Sequence, residues 1–188
     1  MSGPEAKWDR IYKARNADNL SRVDEALLRV RELIPKDGVA LDVAGGDGRN
    51  AVWLAKNGLD VTLIDVSSEA LKRALEMAER SGVVLDVEKT DLEVTDPKQG
   101  PWDLVIIFNY CEKRLYKKIS GILKPGGIVV ITQATVKNLE RHSSPSPRFL
   151  LGDGELTELL PELTVLLRDT GWRANGRHEV TYVAKRPN

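Results

Sequence analysis

Along the first two-thirds of the chain, short continuous apolar runs alternate with stretches whose apolar residues recur every three or four positions. The runs suit strands buried on both faces, and the wider spacing suits helices with one face against a sheet. An N-terminal helical stretch carries Trp8, Ile11 and Tyr12. A second places Leu20, Val23, Leu27, Val30 and Ile34 near one face and stops at Pro35. The pattern predicts strands over Val39 to Ala44, Asp60 to Ile64, Val83 to Glu88, Asp103 to Phe108 and Ile128 to Gln133. One intervening helix starts at Asn50 and closes at Asn57-Gly58. Another is capped by Ser67, repeats Ala70, Leu71, Ala74, Leu75 and Ala78 at helical spacing, and closes at Gly82. A third covers Lys113 to Leu123 and stops at Pro125-Gly126-Gly127.

Beyond Gln133 the texture changes. Lys137 to Gly154 is a long loop bearing Ser and Pro, the kind that serves as a lid or binding loop, and a short helix follows over Glu155 to Leu160. Leu163, Val165 and Leu167 then alternate with other residues. Asn175-Gly176 reads as a two-residue hairpin turn, and Val180, Tyr182 and Ala184 alternate after it. The prediction is an α/β fold with a mostly parallel seven-stranded sheet, helices on both faces and a C-terminal antiparallel hairpin. One domain is expected: N-terminal helices over 1–36, a ligand-binding core over 37–135, and the loop, short helix and hairpin over 136–188.

Composition narrows the function classes. At 188 residues and 41% apolar content, the chain suffices for one well-buried core. Lys plus Arg and Asp plus Glu both number 28, a net charge of zero. That argues against a general electrostatic grip on nucleic acid or anionic membrane, so neither is expected as a partner. No signal peptide or membrane span is seen, which suggests a cytoplasmic protein. Cys111 is the single cysteine, excluding an internal disulfide and a cysteine-rich zinc site, and no metal is expected.

The most informative stretch is Leu41-Asp42-Val43-Ala44-Gly45-Gly46-Asp47-Gly48-Arg49-Asn50, on the turn from the first strand into a helix. Such a turn points backbone N–H groups into a crevice, and Gly46 and Gly48 leave no Cβ in a ligand's way. Asp65, at the end of the second strand, is placed to accept hydrogen bonds from ribose hydroxyls. These features point to a nucleoside-type cofactor. Gly46 to Ala51 also fits the dinucleotide fingerprint, which a nicotinamide-dependent oxidoreductase would share, and such a turn also serves as a plain tight connection.

Asp91 after the third strand and Lys124-Pro125-Gly126-Gly127 before the fifth extend the set. With them, the chain resembles the class I S-adenosylmethionine-dependent methyltransferases. Gly48-Arg49-Asn50 and the run Phe149-Leu150-Leu151-Gly152-Asp153-Gly154-Glu155-Leu156 look most like the tellurite-resistance type. Gly45 stands where such relatives often carry cysteine. The resemblance implies a Rossmann-like class I methyltransferase fold, S-adenosylmethionine as cofactor, and a site formed by Ala44, Gly45, Gly46, Gly48, Arg49, Asp65, Val66, Asp91, Leu92, Phe108 and Asn109. Gly46 and Gly48 would approach the methionine portion and Asp65 the ribose. Asp91 and Leu92 would flank the adenine, and Phe108-Asn109 the sulfonium end. Asp65 as a helix cap and Asp91 as a turn residue are the plain alternatives. Trp8, Arg10 and Tyr12 precede the core and are placed to fold over a cofactor, although Tyr12 reads first as a packed helix residue.

The acceptor side is poorer in signals. Tyr110 follows the fourth strand, and Arg141, Arg148, Arg173 and Arg177 form a basic set suited to an anionic or oxyanion acceptor, or simply a solvated face. His142, His178 and Glu112 are the candidate bases, Glu112 reading first as a helix N-terminal residue. The absence of an obvious base leans towards a small, soft chalcogen or already ionised acceptor. A protein that binds S-adenosylmethionine without turnover is the alternative from a different class.

Overall fold

The computed structural model describes residues 3–15 and 22–188, so Leu20 of the second predicted helix lies outside the described residues. The chain forms two compact units, 1–97 and 98–188.

In the first unit, α1 (Pro4–Ala14) is followed by α2 (Glu25–Arg29) and a 3-10 turn over Arg31–Leu33. The second helical stretch is therefore shorter than its periodicity predicts, because Val30 leaves helical geometry at φ −102° and ψ 8°. Strands β1 (Val39–Val43), β2 (Asp60–Asp65) and β3 (Asp86–Lys89) pair in parallel, β2 lying between the other two. Helices α3 (Arg49–Lys56) and α4 (Ser68–Ser81) make the crossovers. Ser67 accepts the Ala70 N–H at 3.1 Å and Gly82 closes α4 in left-handed geometry, both at the predicted places. The third strand differs: it begins at Asp86 rather than Val83. The Val83 N–H is spent on the Ala78 carbonyl in the helix-closing turn, which leaves 83–85 as a connector with Val84 exposed.

In the second unit, β4 (Trp102–Phe108) pairs in parallel with β5 (Leu123–Ala134). The helix predicted over 113–123 is two short ones, α5 (Lys113–Tyr116) and α6 (Ile119–Ile122). Pro125-Gly126-Gly127 falls within β5, where Gly126 donates to the Arg186 carbonyl and Gly127 accepts from the Arg186 N–H. The long loop carries two 3-10 turns, Val136–Glu140 and Pro147–Phe149, and a bridge from Thr135 to Leu151. After α7 (Glu155–Leu159), β6 (Thr164–Trp172) and β7 (His178–Lys185) form the antiparallel pair, with β7 antiparallel to β5 as well. Being internal, β7 is buried from His178 to Ala184, not half-buried as its alternation suggests; β6 is the edge, with Leu166 an extra residue against β7.

The hairpin turn is real but of another kind. Gly176 N–H donates to the Arg173 carbonyl and Arg173 N–H to the Arg177 carbonyl, closing a three-residue loop, Ala174 to Gly176. Only Gly176 has positive φ, at 80°, whereas the two-residue turn needs Asn175 there too. The seven strands follow the order β3-β2-β1 in the first unit and β4-β5-β7-β6 in the second, mostly parallel with an antiparallel end, as the pattern predicts.

Candidate functional site

In the first unit the glycine loop leaves β1 through Ala44 at φ 53°, Gly46 at φ 58° and Gly48 at φ 80°. Ala44 bears a strain that the two glycines avoid. The loop is tied to β2 twice: Gly45 N–H reaches the Ile64 carbonyl at 3.2 Å, and Gly46 N–H reaches Asp65 Oδ2 at 2.9 Å. Asp65 Oδ1 accepts from Ser67 N–H at 2.9 Å. The Asp65 carboxylate is therefore pinned at the end of β2. Burial raises its pKa, opposed by the N–H groups of Ser67, Gly46 and Val66.

Two more carboxylates lie close. Asp42, under the loop, is 1% exposed, its Oδ2 has no partner, and burial followed by the Asp65 charge pushes its pKa up to about 8. Asp47 is buried and faces the Arg15 guanidinium at 3.4 Å. A Cβ on Gly45 would lie 2.7 Å from the Asp42 carboxyl carbon, so the absence of a side chain at Gly45 makes room for the buried Asp42.

Helix α1 covers this loop. Tyr12 is buried, and its hydroxyl would lie 2.2 Å from a Cβ placed on Gly46. Burial and the Asp65 and Asp47 charges keep that hydroxyl protonated. Asp9 docks the helix by accepting from Ser67 Oγ at 2.6 Å and from Glu69 N–H at 3.1 Å; Glu5 binds Ser68 and Lys89. Tyr12 thus lies at the loop despite reading first as a packed residue. Its signal was the helical spacing with Trp8, which is itself half-exposed. Arg49 is engaged by Asp24 at 3.1 Å. Asp91 holds a turn, accepting from Glu93 N–H at 3.0 Å through its side chain, and Leu92 beside it is buried.

In the second unit, β4 ends at buried Phe108, and Asn109 takes φ 58°. Asn109 Oδ1 accepts from Arg177 at 2.8 Å, and Arg177 also reaches Glu179 at 3.3 Å. Tyr110 follows, its carbonyl accepting from the Tyr116 hydroxyl at 2.6 Å. Glu112 caps α5 by accepting from Arg114 N–H. Arg141, His142, Arg173, Arg177 and His178 gather around the hairpin. Arg141 stacks on Trp172 at 3.8 Å, His142 Nε2 lies 2.8 Å from the Gly176 carbonyl, and Arg173 pairs with Asp169. Arg148 instead lies over Phe149. Buried Asn138 holds this arrangement, contributing its side-chain N–H groups to the Thr135 and His178 carbonyls and accepting from His178 N–H. Sequence reasoning passed over Thr135 and Asn138; their spacing of three across a tight turn was the available signal. Cys111 is buried, which pushes its thiol pKa up and makes it a packing residue. Among the described residues no cluster suited to a metal ion occurs.

Residues 40–127 match the methyltransferase domain family. YqeM of Bacillus subtilis (strain 168) is 32% identical over 106 residues, 52% of this chain and 42% of its own. The tRNA 5-carboxymethoxyuridine methyltransferase of Escherichia coli (strain K12) is 25% identical over 126 residues, 63% of this chain and 48% of its own. The chain thus matches less than half the length of either relative. Among solved structures, TehB from Haemophilus influenzae aligns with a TM-score of 0.73 at 18% identity, covering 96% of this chain and 67% of TehB. The N-methyltransferase NodS from Bradyrhizobium japonicum WM9, in complex with S-adenosyl-l-homocysteine, aligns with a TM-score of 0.73 at 19% identity, covering 98% of both chains. Residues 40–127 are thus similar to a methyltransferase domain, and the chain as a whole shares the class I methyltransferase fold of these solved structures.

Proposed function

We propose that this chain transfers the methyl group of S-adenosylmethionine to a small-molecule acceptor. The observation that carries the reading is Asp65: a carboxylate fixed by Gly46 and Ser67 N–H groups beside a glycine loop, at the strand end where a ribose is held in such folds. The donor set fits the group in a second way. Asp47 and Asp65 make the loop's surroundings acidic, and the cofactor carries a sulfonium and an ammonium charge. Ala44, Gly45, Gly46, Gly48 and Arg49 would line its methionine portion, Asp65 and Val66 its ribose, and Asp91 and Leu92 its adenine. Tyr12 would close over it.

When bound, the cofactor supplies an electrophilic methyl group. The chain's own part is to hold and orient that group, exclude water and place the acceptor lone pair in line, so positioning supplies much of the rate. The basic residues Arg141, Arg173 and Arg177 suit an anionic or oxyanion acceptor, and a soft chalcogen needs no base. An acceptor that must lose a proton would call on His142, His178 or Glu112. A cytoplasmic location agrees with this reading, and no described helix is long and apolar enough to cross a membrane.

The test is a thermal-shift titration with S-adenosylmethionine, S-adenosylhomocysteine and NAD. At one hundred times its dissociation constant a ligand adds about 2.7 kcal/mol, a rise of several degrees. The adenosyl compounds are expected to stabilise the chain and Asp65→Ala to lose the effect. Stabilisation by NAD alone would make it an oxidoreductase. Turnover is then read with labelled methyl donor against thiols, chalcogen oxyanions, phenols and bulk tRNA. Binding without any labelled product would make it a non-catalytic S-adenosylmethionine-binding protein, and labelled tRNA alone would move the acceptor to RNA, on which the Escherichia coli relative acts.

A further inference from the structure

Within the second unit, the turn of the hairpin reaches back to the end of β4. Arg177 Nη1 donates to Asn109 Oδ1 at 2.8 Å and faces Glu179 Oε1 at 3.3 Å. The turn that carries Arg177 is itself held. Arg177 N–H donates to Asn175 Oδ1 at 2.9 Å, its carbonyl accepts from Arg173 N–H at 2.8 Å, and the Gly176 carbonyl lies 2.8 Å from His142 Nε2. Asn109 is fixed from the other side. Its N–H donates to the Thr132 carbonyl of β5 at 2.9 Å, and its φ of 58° ends the strand.

A guanidinium can only donate, so the atom of the Asn109 amide that faces Arg177 is the oxygen. The amide nitrogen is left on the far side of the group, on an exposed residue, and its two N–H donors have no partner among the described residues.

Arg177 is no free cation, because buried Glu179 meets its charge. What the hairpin provides at the end of β4 is therefore an amide turned to donate. The bond at Oδ1 also polarises the amide and strengthens its N–H donors. Such a group matches an oxygen that carries negative charge. It opposes an ammonium, which has only donors of its own.

From this geometry we infer that Arg177 is a positioning residue for the methyl acceptor. By holding Asn109 Oδ1 it leaves only N–H donors for the acceptor to meet. The acceptor selected is one with an anionic oxygen beside its nucleophilic atom, over one with an ammonium there. On the methyl-transfer reading, on which this rests, Asn109 stands at the sulfonium end of the cofactor.

The experiment uses the full chain, labelled with nitrogen-15 and saturated with S-adenosylhomocysteine, at constant ionic strength. The probes are 3-mercaptopropionate, 2-aminoethanethiol and propane-1-thiol, which share a thiol and differ at the far end. The Asn109 side-chain amide signal is identified by its loss in Asn109→Asp. It is expected to move to saturation with 3-mercaptopropionate, which should bind at least about tenfold tighter than the other two, the ratio that about 1.4 kcal/mol provides. Arg177→Met should shift the Asn109 amide signal before any thiol is added and erase the preference. Arg177→Lys, which keeps a donor there, should restore part of it. Asn109→Ala, read from backbone signals, should lose the preference with Arg177 still in place, whereas an Arg177 that gripped the anion directly would keep it. An unmoved Asn109 amide in Arg177→Met, no saturable shift with 3-mercaptopropionate, equal or tighter binding of 2-aminoethanethiol, or an intact preference in Asn109→Ala would each overturn the inference. Stabilisation by S-adenosylhomocysteine alongside any of these sinks the inference alone, and failure of S-adenosylhomocysteine to bind sinks the methyl-transfer reading with it.

Discussion

Asp42 shows what one buried residue does to the whole stability curve. Its pKa is about 8 in the folded chain, pushed up by burial and the Asp65 charge, against the ordinary carboxylate value in the unfolded chain. Between those two values the folded state holds a proton that the unfolded state has released. Stability from this group is therefore fully present at acid pH and is lost as pH rises towards 8. One such proton gives a slope of up to about 1.4 kcal/mol per pH unit. Denaturant midpoints measured from pH 5 to 8 should fall for the native chain and flatten in Asp42→Asn, leaving whatever Asp65 adds, which has the same sign. Gly45 tests the same spot sterically. Gly45→Ala places a methyl 2.7 Å from both the Asp42 carboxyl and Leu63, and should cost about 1–3 kcal/mol in chemical denaturation. A cysteine there would meet the same two contacts, so Asp42 would have to shift to admit it.

At the scale of the elements, Ser67 couples a helix cap to a docking contact. Its Oγ accepts from Ala70 N–H and donates to Asp9, so Ser67→Ala should destabilise by about 1 kcal/mol and loosen α1, read as faster amide exchange over residues 4–14. That cap was legible in the sequence, as were every core strand, α3, α4 and the glycine loop, because each depends on local spacing and a nearby stop signal. The misplacements share a cause: long-range hydrogen bonding overrode a local pattern. Val83 was claimed by the Ala78 carbonyl, and Pro125-Gly126-Gly127 by Arg186. The hairpin turned on a single dihedral at Asn175, which the Asn-Gly pair does not settle. Likewise, the spacing put Asp65 at the end of β2 and let Tyr12 fold over a ligand, but the contacts of Tyr12 with Gly46 and of Asn138 with His178 join segments distant in the chain, which local spacing does not fix.

For the molecule as a whole, equal numbers of acidic and basic residues set the expected behaviour towards polyanions. Fluorescence anisotropy with a generic RNA should show weak association at low salt that changes little between 50 and 200 mM, without the steep loss of a protein that neutralises many phosphates. A sequence-specific RNA substrate would have to be held by something other than net charge. The same scale includes contact between copies. β6 is the outermost strand of its sheet, with Val165 and Leu166 half-exposed, and Leu166 is the extra residue that throws its ladder out of step. An edge broken in this way is a poor template for another chain to lengthen. Deleting Leu166 would straighten the strand and leave a flat, apolar rim, so the shortened protein should scatter light on storage at high concentration while the native chain stays clear. A single superfluous leucine, useless to the fold's own pairing, thus guards every molecule against its neighbours.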